Sequence, residues 1–108
     1  MKLASTAPIT DMVEKLKSEY EPERIILFGS YGYGKATANS DIDLLVVKDT
    51  NESFHQRIVK VRRILSTIRR GFGLDVIVIT PKELNKRLEI GDQFIEEITA
   101  KGELLYAR

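Results

Sequence analysis

Two short stretches decide the fold of this chain: Gly29-Ser30 and, ten residues later, Asp41-Ile42-Asp43. A run of four apolar residues precedes the first stretch and another follows the second, so we predict a strand on each side of a connecting loop. Because side chains two apart on a strand share a face, the two aspartates are expected to lie side by side. Neighbouring carboxylates repel each other, and Mg²⁺ or Mn²⁺ would screen them. The pattern therefore predicts metal-assisted chemistry on a phosphate.

The composition is typical of one soluble globular domain. The chain has 108 residues, of which 43% are hydrophobic and 31% are charged, and its net charge is +1. The absence of cysteine excludes a disulfide framework and a thiolate metal site. No apolar run approaches the roughly 20 residues that span a bilayer, and the N-terminus lacks a signal-peptide pattern. We expect a single cytoplasmic domain over residues 1–108.

Helical and strand patterns alternate along the chain. Ser53 with Gln56, and Thr80 with Glu83, are typical capping boxes at the start of a helix. We expect an α/β (α+β) layer structure in which a small mixed β-sheet is flanked by helices. The predicted helices cover residues 9–20, residues 53–70, a segment from Pro81 and a segment between Gly91 and Gly102; the predicted strands cover about 24–29, 44–47, 74–79 and, at an edge, 103–106.

Asp75 is the one carboxylate in the apolar run of residues 74–79. We expect this strand to be buried on both faces, where an unpaired carboxylate is costly and tends to become protonated. If the strand lies beside the one that carries Asp43, then Asp41, Asp43 and Asp75 can converge around one or two cations. The alternative is an aspartate that pairs with an arginine or is exposed at a sheet edge.

The loop after the first strand has features of a phosphate site. Gly29 would let the backbone approach a phosphate closely, Ser30 adds a hydroxyl donor, and Lys35 could neutralise phosphate charge. Gly29 and Gly34-Lys35 have the spacing of a P-loop, with four residues between the two glycines. That motif also requires Ser or Thr after the lysine and a helix that begins at once. Ala36 follows the lysine in this chain, so the P-loop interpretation is weak.

A basic stretch runs from His55 to Arg70 and contains no acidic residue. Two interpretations stay open: a surface for a polyanion or an acidic partner, and a solvated helix face. His55 is the only histidine, and we expect it to face solvent rather than to act as a base. The basic residues are Arg57, Lys60, Arg62, Arg63, Arg69 and Arg70.

Residues 27–30, the glycine-containing loop and residues 40–46 resemble the signature of the nucleotidyltransferase superfamily related to DNA polymerase beta. Over roughly residues 9–106 the chain resembles the minimal nucleotidyltransferases (MNT family), many of which are antitoxins. Family members often carry arginines just after the Gly-Ser pair, where this chain has Tyr31 and Tyr33. These tyrosines are expected to cover neighbouring apolar surface or to stack on a base or a partner.

The resemblance implies a role for each matching residue. Gly29 and Ser30 would bind the β and γ phosphates of ATP. Asp41 and Asp43 would hold two Mg²⁺ ions, and Asp75 would complete one metal site and help to deprotonate the attacking hydroxyl. The implied reaction is in-line displacement at the α-phosphorus.

The resemblance also implies an acceptor: a tyrosine of a separately encoded helical toxin, a ribonuclease of the HEPN family. The basic helix at residues 55–70, or the apolar end at residues 104–106, could dock that partner. Two other functions stay open. The chain could be a non-catalytic binding module that neutralises its partner by contact, or it could modify a small molecule or RNA, although such relatives usually carry an added acceptor domain.

Overall fold

The computed structural model describes residues 7–37, 39–68 and 71–108. Within these ranges, no helix combines the length and the apolar character that crossing a membrane requires. The elements, in chain order, are α1 Ala7–Glu19, β1 Arg24–Phe28, α2 Gly29–Gly32, β2 Ile42–Val47, α3 Phe54–Leu65, β3 Leu74–Ile79, α4 Pro81–Glu89, α5 Gln93–Lys101 and β4 Glu103–Ala107.

The four strands form one mixed sheet in the order β3-β2-β1-β4. β1 runs antiparallel to both β2 and β4, whereas β2 and β3 are parallel. The parallel connection crosses over through α3, which is the usual requirement for two parallel neighbours. The predicted small mixed sheet flanked by helices is confirmed, and so is the short edge strand near the end of the chain.

Helices cover both faces of the sheet, which explains why β1 and β2 are almost continuously apolar. Every residue of β1 after Arg24 is buried, and Asp43 is the only residue of β2 that is not. One face packs against α1 and α3 through Met12, Leu16, Val61 and Leu65; the other packs against α4 and α5 through Leu84, Ile95 and Ile98.

Both predicted capping boxes form. The Ser53 hydroxyl accepts from the Gln56 amide at 3.2 Å at the start of α3, and the Thr80 hydroxyl accepts from the Glu83 amide at 3.1 Å before α4. The predicted end of α3 at Arg70 is wrong, because the helix ends at Leu65.

The bonds that follow α3 explain its early end. The amides of Ser66 and Ile68 each donate to a carbonyl three residues back, and the Ser66 hydroxyl also donates to the Arg63 carbonyl at 2.9 Å. Such local bonds compete with the α-helical ones and favour a turn. Arg69 and Arg70 lie outside the described residues.

The basic stretch in α3 is partly a structural device. Arg57 is only 6% exposed, donates to the Val78 carbonyl at 3.3 Å and forms a double hydrogen bond with Glu83 at 2.8 and 3.2 Å. Arg62 donates to the Leu74 carbonyl. Both carbonyls belong to β3, an edge strand, so the arginines occupy acceptors that would otherwise be open to another chain.

The Arg57–Glu83 pair also joins the two helical layers around the sheet edge, since α3 and α4 lie on opposite faces. Hydrogen bonds from Arg57 hold the pKa of Glu83 below its usual value. Neither interpretation of the basic stretch applies to Arg57, which is neither solvated nor available to a partner.

We expect Arg57→Met to lower the free energy of unfolding by about 2 kcal/mol, because it leaves the Val78 carbonyl and the Glu83 carboxylate without their shared donor. Arg63→Met, at an exposed position of the same helix, is the matched control and should change the free energy of unfolding by less than about 0.5 kcal/mol. Urea unfolding measures both. Equal stability of the two variants would show that the buried arginine contributes nothing.

Candidate active site

The sheet register brings two of the predicted carboxylates together. Asp43 in β2 is the direct partner of Asp75 in β3, and on its other side it pairs with Phe28 in β1. Direct partners share a face of the sheet. Phe28 belongs to the apolar cluster under α4 and α5, so both aspartates lie on that face, where β1 ends and β2 and β3 begin.

The expected burial of Asp75 is wrong. β3 is an edge strand and Asp75 is exposed, as the alternative of an aspartate exposed at a sheet edge predicted. The cost of burying a carboxylate therefore gives no argument for a metal at this residue. That argument applies instead to Asp43, which is half-buried in the neighbouring strand.

The electrostatics of the site are concentrated on Asp43. Burial raises the pKa of Asp43 to about 6, and the charge of Asp75, a hydrogen bond to Asp75 and the charge of Asp41 act in the same direction. A protonated Asp43 can donate to the Asp75 carboxylate, whereas two ionised groups repel each other. A divalent cation would remove this repulsion, which is the reason that the spacing of the aspartates predicted one.

Two glycines leave room for the carboxylates. A Cβ built at Gly29 would lie 2.1 Å from Asp43 Oδ2, and one at Gly73 would lie 1.9 Å from Asp41 Oδ1. Gly29 also has a positive φ of 65°, in the left-handed region that other residues rarely adopt. Asp41 is exposed and precedes β2 by one residue, so it lies at the margin of the Asp43–Asp75 pair.

The donor set fits Mg²⁺ in part. Within residues 7–37, 39–68 and 71–108, no three acidic or histidine side chains are grouped so that they could hold a metal ion. Mg²⁺ is commonly bound through one or two carboxylates together with waters and substrate phosphates, so a pair of aspartates is sufficient from the protein. The convergence of all three aspartates on one ion stays a prediction.

The Gly29 loop lies directly against this pair. Gly29 begins the short helix α2, where only a turn was expected, and its backbone faces Asp43. The Tyr33 amide donates to the Gly29 carbonyl at 2.9 Å, and the Lys35 amide donates to the Ser30 carbonyl at 2.8 Å. Lys35 is followed by irregular backbone and not by a helix, which is the context that argues against a P-loop.

Tyr33 is a site residue whose position the sequence did not indicate. Its ring packs against the apolar cluster under α5. Burial and the charges of Glu97 and Asp43 raise the pKa of the Tyr33 hydroxyl, whereas a hydrogen bond with the Gly29 backbone lowers it. Tyr31 packs instead against the apolar cluster on the other face of the sheet, and it contacts Phe72 edge-on with ring centroids 6.5 Å apart.

Beyond Asp75, the same face of the sheet opens into a groove of about 420 Å³, called the apolar groove here because five of its lining residues are apolar; Glu83 and Arg87 complete the lining. Ile77 and Ile79 form its floor, since they follow Asp75 at alternate positions of β3. Phe94 forms one wall; its ring is half-exposed and lies edge-on to Phe28 at 5.8 Å. The site therefore has a polar side at Gly29 and an apolar side along β3.

We expect Gly29→Ala to be more destabilising than Gly91→Ala, a matched control with φ of 77° and no atom within 4 Å of an added Cβ. Both substitutions carry the left-handed strain of about 1 kcal/mol, but only the first forces Asp43 to move, at about 1–3 kcal/mol more. Urea unfolding measures the difference. Equal losses would mean that Gly29 and Asp43 are not in close contact.

We expect Asp43→Asn to stabilise the metal-free protein at pH 7. Because the folded pKa of Asp43, about 6, is above its ordinary value, ionised Asp43 destabilises the fold above pH 6 and does not below pH 4. The substitution should raise the free energy of unfolding by about 1–3 kcal/mol at pH 7 and should leave it nearly unchanged at pH 4. Unfolding in EDTA at both pH values, with Asp49→Asn as an exposed control, measures it; a gain independent of pH would contradict it.

Two curated proteins are similar to this chain in sequence. A candidate protein adenylyltransferase of Methanocaldococcus jannaschii, MJ0604, is 35% identical over 100 residues, which cover 91% of this chain and 94% of that protein. A second from the same organism, MJ1379, is 36% identical over 72 residues, covering 65% and 68% respectively.

A solved structure shares the fold. The crystal structure of a candidate nucleotidyltransferase from Sulfolobus solfataricus superposes with a TM-score of 0.62 at 23% identity, covering 94% of this chain and 78% of that one. A family model described as a nucleotidyltransferase domain matches residues 9–106. The resemblance drawn from the Gly-Ser and Asp-Ile-Asp motifs is thereby confirmed. This chain belongs to the nucleotidyltransferase domain family.

Proposed function

We propose that this nucleotidyltransferase moves an adenylyl group from ATP to a tyrosine hydroxyl of a separately encoded HEPN-type toxin, and so acts as a cytoplasmic antitoxin. The observation that carries the proposal is the Asp43–Asp75 pair beside Gly29 on one face of the sheet. The relatives MJ0604 and MJ1379, both named as candidate protein adenylyltransferases, support a protein acceptor.

The polar side of the site suits the triphosphate. Gly29 and Ser30 bind the β and γ phosphates through backbone and hydroxyl donors, and Lys35 supplies positive charge. Because Gly29 has no Cβ, the Asp43 carboxylate lies directly against this loop, so phosphates that the loop binds are close to the carboxylate. Binding on this side directs the α-phosphorus toward Asp43 and Asp75.

Asp41, Asp43 and Asp75 hold Mg²⁺ in this proposal. When bound, Mg²⁺ neutralises phosphate charge and stabilises the departing pyrophosphate. The acceptor oxygen forms a bond to the α-phosphorus while the bond from that phosphorus to the bridging pyrophosphate oxygen breaks. Asp75, exposed at the margin of the sheet, takes the proton of the attacking hydroxyl.

The apolar side of the site favours a tyrosine as acceptor. Isoleucine and phenylalanine side chains form most of the lining of the groove next to Asp75, and Glu83 and Arg87 complete it. The apolar part suits an aromatic ring better than a sugar or an aminoglycoside. A phenol lying in the groove would extend along β3 toward Asp75. This argument ranks a small polar acceptor or an RNA end below a protein.

The test is transfer of label. With Mg²⁺, α-labelled ATP and the protein encoded by the neighbouring gene, we expect labelled partner and a modified tyrosine by mass spectrometry. Asp43→Asn and Asp75→Asn should each lower the transfer rate by at least about 100-fold, because both remove charge from the metal site. Asp49→Asn, exposed after β2, is the matched control and should transfer normally.

Neutralisation of the partner separates catalysis from contact. If the partner is a ribonuclease whose activity falls only when label is transferred, catalysis accounts for the antitoxin effect. Neutralisation that survives Asp43→Asn unchanged would contradict the proposal and establish a binding module. Label on RNA or on a small molecule, and none on protein, would contradict the proposed acceptor.

A further inference from the structure

A cavity of about 420 Å³ lies on the side of Gly29 away from the apolar groove. Its walls come from two parts of the chain that are distant in sequence, the loop after α2 and the last turns of α5. The lining residues are Gly32, Tyr33, Lys35, Glu97 and Lys101.

This cavity adjoins the proposed metal site through Tyr33. The Tyr33 amide donates to the Gly29 carbonyl at 2.9 Å, and Gly29 lies directly against Asp43. The Tyr33 ring packs against the apolar cluster under α5. A polyphosphate that begins at Gly29 and extends away from Asp43 would enter this cavity.

Tight packing fixes the end of α5 that carries Lys101. Ile98 is fully buried, and a Cβ built at Gly102 would lie 2.7 Å from the Ile26 side chain and 2.9 Å from the Leu27 carbonyl of β1. The Gly102 amide donates to the Ile98 carbonyl at 2.8 Å. Lys101 thus extends from a helix end held against the strand that leads into Gly29.

The charge of Lys101 is only loosely satisfied. Its ammonium lies 3.8 Å from Glu97, and 68% of its side chain is exposed. Exposed pairs at such distances contribute little, so an anion of higher charge can replace Glu97 as the partner. The charged residues that line the cavity are Lys35, Lys101 and Glu97, so its lining carries a net positive charge. The negatively charged aspartates of the proposed metal site lie next to it.

We propose that Lys101 is a second triphosphate-binding residue, which acts with Lys35 on the β and γ phosphates of the nucleotide and on the departing pyrophosphate. The inference rests on the proposed function for the identity of the anion. It assigns to α5 a role in substrate binding, in addition to its role in covering the sheet. It also implies that Glu97 weakens anion binding, because the Glu97 carboxylate repels an anion in the cavity.

The experiment uses sodium tripolyphosphate and AMP as probes, titrated calorimetrically at a fixed Mg²⁺ concentration. We expect Lys101→Met to weaken tripolyphosphate binding by about three- to tenfold, and Glu97→Gln to strengthen it by about two- to threefold. AMP binding should stay unchanged in both variants. Lys86→Met, at an exposed position of α4, is the matched control and should equal the wild type.

The outcomes separate this inference from the proposed function. If Lys101→Met loses more tripolyphosphate affinity than Lys86→Met, the inference is supported, even if no adenylyl transfer is ever found. Equal binding by these two variants, or weaker binding by Glu97→Gln, overturns the role of Lys101 and leaves the transfer reaction standing. A wild-type protein that binds neither tripolyphosphate nor ATP overturns both.

Discussion

The parallel pairing of β2 with β3 is the constraint on which the site depends. It sets Asp43 opposite Asp75, and a slip of one residue would send one of the two carboxylates to the other face of the sheet. The register is held by the alternation of apolar residues on both faces, since a slipped β3 would also exchange the residues packed against α3 with those packed against α4. The core therefore holds the two carboxylates side by side, although their charges repel each other when both are ionised.

Holding two carboxylates side by side costs free energy of folding, and this cost is concentrated on Asp43. Asp43 is half-buried beside the exposed Asp75 and carries the raised pKa, so the folded protein is less stable with this residue ionised. Contacts elsewhere offset that cost. The central strands are buried on both faces, and Arg57 joins α3, β3 and Glu83 at the sheet edge that carries Asp75. Strain at a functional site and strong packing around it are a common combination in proteins.

The position of β3 at the edge of the sheet links stability to access. An edge strand exposes backbone acceptors, and in this protein two arginines of α3 occupy the carbonyls of Leu74 and Val78. The same edge position keeps Asp75 in contact with solvent and opens the apolar groove beside it. On the opposite side of Asp43 the Gly29 loop and α5 enclose a polar cavity. The carboxylate pair therefore has two chemically different approaches, one mainly apolar and one polar.

Local patterns in the sequence determined a large part of this protein. Apolar runs predicted the strands, the Ser53 and Thr80 boxes predicted where two helices begin, and the Gly-Ser and Asp-Ile-Asp motifs indicated the family. These signals depend on residues close together in the chain, where side-chain periodicity and capping bonds act directly. Only the tertiary structure decided that β3 is an edge strand, that Arg57 is buried and that Lys101 and Lys35 line one cavity. Each of these facts depends on contacts between distant segments, because the order of strands in a sheet and the packing of α5 on β1 follow from the whole core and not from any local spacing.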